Sequence, residues 1–306
     1  MIRVLPAVEA ALRAGAPVVA LESSVFAQGL PIPRNREAAE RMVAAVEREG
    51  AIAAITAVVR GTPAVGLEPT ELDRFLARDG VRKVSARDLP GAMAAGADGA
   101  TTVAASLALG HRAGATVFAT GGIGGVHRDA PFDESADLYE LARTPMIVVC
   151  AGAKSILDLP ATWERLESLG VPVVGYRTSE LPGFFTAETG IRLDTWAEDP
   201  SQVVKFFCAH RELGRSQSVV VVQAPPAAYA LDRLMVETAV REAQAEANRN
   251  GIRGARVTPY LLEAVNRLTH GGSLDANIAL LEQNAALAGA IATLLSSNAY
   301  SRVFSH

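Results

Sequence analysis

TTVAASLALGHRAGATVFATGGIGGVHR, residues Thr101–Arg128, carries the pattern that decides the architecture. Apolar residues recur at helical spacing from Thr101 to Ala113, Gly114 supplies a stop, and Thr116–Thr120 (TVFAT) has the length and composition of a buried strand. That strand delivers the chain into a turn with glycine at 121, 122, 124 and 125. Helix, strand and glycine-rich turn in succession form the unit from which a helix-covered sheet is built.

The alternation extends on both sides. Leu5–Ala14 reads as an amphipathic helix running into Gly15, and Pro17–Leu21 (PVVAL) as a short buried strand. Asn35–Glu49 sets Arg and Glu opposite an apolar face, Gly50 ends it, and Ala53–Val59 follows as a strand. Thr70–Ala77 and Asp88–Ala95 read as short helices around a strand edge at Val81–Val84. Met146–Val149 and Val171–Gly175 are apolar strands flanking a helix over Ser155–Leu169, and Ser218–Val222 (SVVVV) is the most strand-like run of the chain. The last third is helical, over Asp232–Asn250, Tyr260–Thr269 and Leu274–Leu295. With no low-complexity segment, repeat or charge block to divide it, the chain is expected to form one α/β domain over residues 1–295. Its sheet should be covered by helices on both faces, an αβα layering, and a polar tail follows at 296–306.

Composition narrows the function classes. The 306 residues are 49% hydrophobic and 20% charged, an ordinary globular balance that sets disorder aside. A net charge of −4 gives no basic footprint, so nucleic acid is not an expected partner. No uninterrupted apolar run reaches the ~18 residues that span a bilayer, and the first residues carry Arg3, Glu9 and Arg13 instead of a secretory pattern. A soluble, cytoplasmic protein is the expectation. Cys150 and Cys208 are too few for a disulfide framework or a zinc site.

Among 29 basic residues only Lys83, Lys154 and Lys205 are lysine. A chain that uses arginine wherever charge suffices makes each lysine a candidate for amine chemistry, because a desolvated amine can lose its proton and attack a carbonyl while arginine stays protonated. Lys154 follows the strand within VVCAGAKSILD (Val148–Asp158), at the end of the sheet where ligands bind in open α/β folds; the helix expected at Ser155 would disfavour a purely structural lysine there. Lys83, in VRKVSARDL, reads as a phosphate anchor or second amine, or as a partner of Asp79 or Asp88. The turn after Thr120 could cradle an anion with its amides, His127 and Arg128 add donors, and Asp133, Glu134 and Asp137 gather carboxylates suited to a hard divalent ion. The plainer reading of that segment is a turn followed by a capped helix start. Glu22 ends the first strand as a candidate general acid or an ion-paired residue, and Asn277 lies inside an apolar helix, where a buried amide needs partners.

Laid side by side, VALESS (Val19–Ser24), KVSARDL (Lys83–Leu89), GATTVAA (Gly99–Ala105), TGGIGGVHR (Thr120–Arg128), SADL (Ser135–Leu138), CAGAKSILD (Cys150–Asp158), TPYLL (Thr258–Leu262) and SLDANIAL (Ser273–Leu280) resemble the pseudouridine-5′-phosphate glycosidase, or indigoidine synthase A-like, family over nearly the whole chain. The resemblance implies an αβα fold, a homotrimer, a bound manganese ion (Mn2+) and reversible cleavage of the carbon–carbon glycosidic bond of pseudouridine 5′-phosphate to uracil and ribose 5-phosphate. It implies Glu22 as proton donor and Lys154 as covalent nucleophile, with substrate contacts from Lys83, Val103 and the Ser135-Ala136-Asp137 run, metal binding by Asp133, and Asn277 near the base. An amine suits a bond that has no heteroatom leaving group to protonate. Lys154 can bond C1′ as the ribose ring opens, and its nitrogen lone pair can then expel the protonated pyrimidine carbon, leaving an imine for water to hydrolyse.

The chain departs from that family's pattern at Gln28, where histidine is usual, at Glu134, where valine or isoleucine is usual, and at Arg60, where a small or acidic residue is commoner. Gln28 and Glu134 are expected beside the aglycone. They keep a second activity in view, a synthase joining ribose 5-phosphate to an aromatic polyketide-type acceptor. Two readings from other classes are a non-catalytic phosphosugar-binding protein and a nicotinamide-dependent dehydrogenase, which lacks the G-x-G-x-x-G fingerprint.

Overall fold

The structure is a computed structural model describing residues 1–128, 132–254 and 257–297. The N-terminal half runs β1 (Arg3–Val4), α1 (Pro6–Arg13), β2 (Val18–Glu22), a π-helical turn (Val25–Gly29), α2 (Arg34–Arg48), β3 (Ile52–Val59), β4 (Thr62–Val65), α3 (Pro69–Ala77), β5 (Arg82–Val84), a 3₁₀ turn (Ala86–Asp88), α4 (Leu89–Ala94), β6 (Gly99–Thr101), α5 (Val103–Ala113) and β7 (Val117–Ala119). The remainder is β8 (Val126–His127), α6 (Ala136–Leu141), β9 (Ile147–Cys150), β10 (Leu157–Asp158), α7 (Leu159–Ser168), β11 (Val173–Tyr176), β12 (Trp196–Ala197), α8 (Pro200–Glu212), β13 (Val219–Val222), α9 (Arg233–Arg249), α10 (Val257–Leu268) and α11 (Gly272–Leu295).

The main sheet is ordered β1-β4-β3-β2-β7-β9-β13-β11-β12, with β6 and β5 added beside β3. From β3 through β2, β7, β9, β13 and β11 to β12 every pairing is parallel, whereas β4 and β6 run antiparallel to β3. Parallel strands buried on both faces need apolar residues at every position, which is why β2, β9 and β13 read as unbroken apolar runs. In β2, Val18 joins α1 and α5 residues in one cluster, while Val19 and Leu21 join the larger cluster containing α2 and α11. The sheet is therefore covered on two faces, as expected for an αβα domain.

α11 is the central helix, packed on β2, β7 and β9 and along α2. It is long and apolar enough to cross a membrane by composition, but most of it is buried inside the domain. It ends at Leu295, and of the expected polar tail at 296–306 the residues from 298 onward lie outside the described residues.

Two expected helices are shorter at their N-terminal ends. Gly99–Thr101 is a strand paired with both β3 and β5, so α5 begins only at Val103. The segment after Lys154 does not enter a helix at Ser155. It forms β10, antiparallel to β8, and α7 starts at Leu159 with Asp158 accepting from the Ala161 amide at 3.0 Å. Local periodicity could not show either strand, because both exist only through partners distant in sequence.

Candidate active site

The chain goes from β2 to β3 on one side of the sheet and later returns to β7 on the other side of β2. Strand order reverses there, and connections leaving in opposite directions open a crevice at the carboxyl ends of the strands. Glu22 closes β2, Thr120 follows β7, and Lys154 lies four residues beyond Cys150, the end of β9. Two adjoining compartments fill this crevice. An inner one is lined by Gln28, Gly121, Phe184 and Asn277, and an outer one by Arg87, Thr102, His127, Ser135 and Asp137. Glu22, Ser24, Lys83, Lys154 and Thr258 line both, which places both lysines and Glu22 at the junction.

Glu22 is only 4% exposed, and its two oxygens are each held by a hydroxyl. Ser24 Oγ donates to Oε2 at 2.6 Å and Thr120 Oγ1 to Oε1 at 2.5 Å. Beneath it, Ser23, Thr56, Thr101 and Ser106 form a buried hydroxyl cluster joining β2, β3, β6 and α5. No cation neutralises Glu22 at hydrogen-bonding distance among the described residues, so the carboxyl is positioned by neutral hydroxyl donors.

Lys154 stands on a loop braced against the glycine turn. Its amide donates to the Ile123 carbonyl at 3.1 Å, and the Ile123 amide donates to Gly152 at 3.1 Å. Gly152 has φ 87°, and a side chain there would meet the Pro182 carbonyl at 2.4 Å. Because α7 begins only at Leu159, the helix dipole does not bear on Lys154, and the argument from a helix start falls away. Neither Lys154 nor Lys83 makes an ion pair among the described residues, so Lys83 does not pair with Asp79 or Asp88, and Asp88 pairs with Arg87 at 3.5 Å. Lys83 opens onto the cleft, yet the protein around it lowers its pKa. Burial is the first cause and the nearby Lys154 ammonium the second, opposed by Asp137 and Glu22.

Several amides of the glycine turn are held by the protein itself. None of its four glycines has positive φ, and the amides of Ile123, Gly124, Val126 and His127 are already bonded to Gly152, Asp137, Thr162 and Asp133. Close packing explains the glycines instead. A Cβ at Gly124 would lie 2.2 Å from Ser135 Oγ, and one at Gly125 2.3 Å from Thr162 Oγ1.

Other expected residues distribute unevenly. Asp137 is buried and bridges two elements, accepting from Ala104 at 2.9 Å and Gly124 at 2.8 Å, so it fixes the glycine turn to the start of α5. Val103, Ser135 and Ala136 stand at the first turns of α5 and α6 and line the outer compartment. Thr102 Oγ1, beside Val103, is buried without a partner among the described residues. His127 lines the same space; burial is the main cause that lowers its pKa, with the two lysines adding to it against Asp133. Arg128 is elsewhere. Its guanidinium donates to the Leu157 and Ser155 carbonyls and pairs with Glu237, facing a separate cleft between α7 and α9.

Asp133 is exposed at the edge of the outer compartment. Among the described residues no group of three histidine, cysteine, aspartate or glutamate side chains could hold a metal, so this donor set does not by itself make a metal cage. Glu134 lines the outer compartment and not the inner one; Arg165 pairs with it at 2.9 Å and Tyr139 donates to it at 3.0 Å. Gln28 and Asn277 do line the inner compartment. Asn277 is 7% exposed with Oδ1 unpartnered among the described residues and directed toward Gly121, where a Cβ would lie 3.3 Å from it.

Ser24, Thr120, Phe184 and Thr258 are site residues that sequence reasoning missed. Hydroxyls carry no positional signal, and Phe184 comes from a loop with no periodicity. Asn284 was legible by spacing: seven residues after Asn277, it shares that helix face, and it donates to the Thr120 carbonyl at 2.8 Å.

The profile of the family described as "Indigoidine synthase A like protein" matches residues 7–294. The chain is 64% identical to the pseudouridine-5′-phosphate glycosidase of Gemmatimonas aurantiaca over 93% of each chain, and 51% identical to that of Herpetosiphon aurantiacus over 95% of this chain and 96% of the relative. Among solved structures, the prealnumycin C-glycosynthase in complex with ribulose 5-phosphate superposes with TM-score 0.89 at 38% identity, covering 97% of both chains. An indigoidine synthase A-like protein of Thermotoga maritima gives TM-score 0.87 at 36% identity, covering 92% of this chain and 94% of that one. With its profile, its relatives and its fold in agreement, the chain belongs to the indigoidine synthase A-like family.

Proposed function

We propose that the protein is a C-glycosidase that reversibly cleaves pseudouridine 5′-phosphate to uracil and ribose 5-phosphate. The observation carrying this reading is the meeting of an unpaired lysine, Lys154, and a hydroxyl-held carboxyl, Glu22, at the junction of two compartments of different character. The 64% and 51% identical relatives are named for this activity, which favours it over the C-glycosynthase activity of the 38% identical structure.

The chemistry follows from the placement. The amine of Lys154 bonds C1′ as the C1′–O4′ bond breaks, the ring oxygen taking a proton and the nitrogen losing one. Glu22 delivers a proton to the pyrimidine C5, the nitrogen lone pair forms a C1′=N bond, and the C1′–C5 electrons leave with the ring as uracil. Water then hydrolyses the imine, freeing Lys154 and the open-chain aldehyde of ribose 5-phosphate. In the outer compartment Lys83, Arg87, Thr102 and Ser135 offer donors for the phosphate, and neutral His127 can donate without adding charge. Asp133 would hold a manganese ion in this reading, and the ion would supply positive charge to offset the substrate phosphate. A cytoplasmic homotrimer completes the reading, and light scattering tests the assembly.

Incubation with pseudouridine 5′-phosphate and Mn2+, followed by detection of uracil, tests the function. Absence of uracil release would overturn it. Ligand binding without turnover, unaffected by Lys154 substitution, would favour a binding protein; turnover only with aromatic polyketide-type acceptors would favour the synthase.

A further inference from the structure

A chain of buried amide side chains runs between α11 and the strand ends. Asn284 is fully buried and lines neither compartment of the site. Its Nδ2 donates to the carbonyls of Thr120 at 2.8 Å and Gly121 at 3.3 Å, and its Oδ1 accepts from Gln223 Nε2 at 2.9 Å. Gln223 follows β13, is 5% exposed, and accepts on Oε1 from Gln283 Nε2 at 2.8 Å. The direction of this chain is forced. A backbone carbonyl can only accept, so Asn284 turns Nδ2 to Thr120 and Oδ1 to Gln223; Gln223 must then present Nε2, and Gln283 gives a donor to the oxygen that remains. Buried amides are costly unless every group is paired, and once paired they fix one arrangement of the elements they join.

We propose that Asn284, set by Gln223, is a positioning residue for proton delivery by Glu22 and acts through Thr120; this rests on the C-glycosidase reading above. Thr120 is held at every polar group. Its amide donates to the Val149 carbonyl at 3.0 Å, its carbonyl takes the Asn284 amide, and its hydroxyl donates to Glu22. The neighbouring carbonyl of Gly121 accepts from Ala151 at 2.9 Å as well as from Asn284, and the Gln223 amide donates to Cys150 at 3.1 Å. The ends of β7, β9 and β13 are thus tied to α11 at a residue that orients the carboxyl. Where the Thr120 backbone sits decides where its hydroxyl points, and Asn284 holds that backbone from the side away from Glu22. Protonating a ring carbon needs the acid along one line of approach, and a displacement of about 1 Å can cost about a hundredfold in rate.

The test is a double-substitution cycle in the full protein, with pseudouridine 5′-phosphate as substrate. Asn284→Leu keeps the shape and removes the donors, and should lower kcat about tenfold with KM within about twofold. Gln223→Met leaves the Asn284 donors but frees their direction, and should lower kcat about threefold. In a Thr120→Val background each change should alter kcat by less than about twofold, because the hydroxyl they aim is gone. Borohydride trapping of ribose 5-phosphate on Lys154 should be equal in the parent and in Asn284→Leu, since that imine forms without protonation of the pyrimidine carbon. Gln223→Met carries the cycle if Asn284→Leu does not fold. Losses that add to that of Thr120→Val, a KM that rises as kcat falls, trapping that declines with turnover, or an unchanged kcat in the single variants overturns the proposal. A parent that releases no uracil overturns the function and this inference together, whereas an active parent with additive losses overturns this inference alone.

Discussion

Thr120 donates its hydroxyl to Glu22 across two adjacent parallel strands, at 2.5 Å between Oγ1 and Oε1. The bond joins the ends of β2 and β7, where strand order reverses, and with Ser24 it leaves the carboxyl one orientation. Thr120→Val should therefore lower kcat by about tenfold to a hundredfold, the usual range for a misplaced acid–base group, with KM for pseudouridine 5′-phosphate little changed. A matching fall in substrate affinity would assign Thr120 to binding instead.

Lys154→Arg keeps the charge and removes the nucleophile, so activity should be nearly abolished. Borohydride reduction in the presence of ribose 5-phosphate, followed by peptide mass analysis, should find the sugar on Lys154 of the parent. Labelling at Lys83, its neighbour in the cleft, would reassign the nucleophile.

Removing the phosphate should remove most binding, because Arg87 and Thr102 line the outer compartment alone and Lys83 stands at its junction with the inner one. Pseudouridine itself should be turned over at least about a hundredfold less efficiently than its 5′-phosphate, and Lys83→Met should narrow that difference. Activity retained in EDTA would remove the ion at Asp133 from the reading.

Gly124→Ala should destabilise the protein by about 1–3 kcal/mol through overpacking, since the added carbon would lie 2.2 Å from Ser135 Oγ. Pairing it with Ser135→Gly should recover part of the melting temperature. No recovery would mean that the glycine is required for another reason.

Gln28→His and Glu134→Ile should separate. Glu134 is engaged by Arg165 and Tyr139 away from the inner compartment, so Glu134→Ile should leave kcat/KM within about twofold. Gln28→His should change affinity for uracil. The opposite outcome would place the aglycone in the outer compartment.

Stability should fall in two separate pH windows. Burial holds His111, His127 and His210 below the ordinary value of 6.5, so below that pH the unfolded chain binds protons the folded chain refuses, and stability is lost as pH falls through 6.5. Glu71, bonded by Arg3, and Glu246, bonded by Tyr260 and Arg267, are held below 4.5, so their contribution is lost only as pH falls through that lower range. Melting temperatures measured from pH 8 to 4 should show the first decline diminished by His127→Gln.

The αβα class was legible in the sequence because parallel strands buried on both faces demand unbroken apolar runs such as Ser218–Val222, and helices on them demand periodic ones such as Asn35–Glu49. Lys154 was legible because a chain this poor in lysine makes each one conspicuous, and Glu22 because it ends a strand. What only the tertiary structure decided was how neighbours use each group. Arg128 turned from the substrate to Glu237 and two carbonyls, Glu134 to Arg165, and the glycine turn's amides to Gly152, Asp137 and Thr162. Donors and acceptors are satisfied by whatever lies nearest in space, and β2 and β7 bring together partners roughly a hundred residues apart, a pairing that no local pattern of residues records.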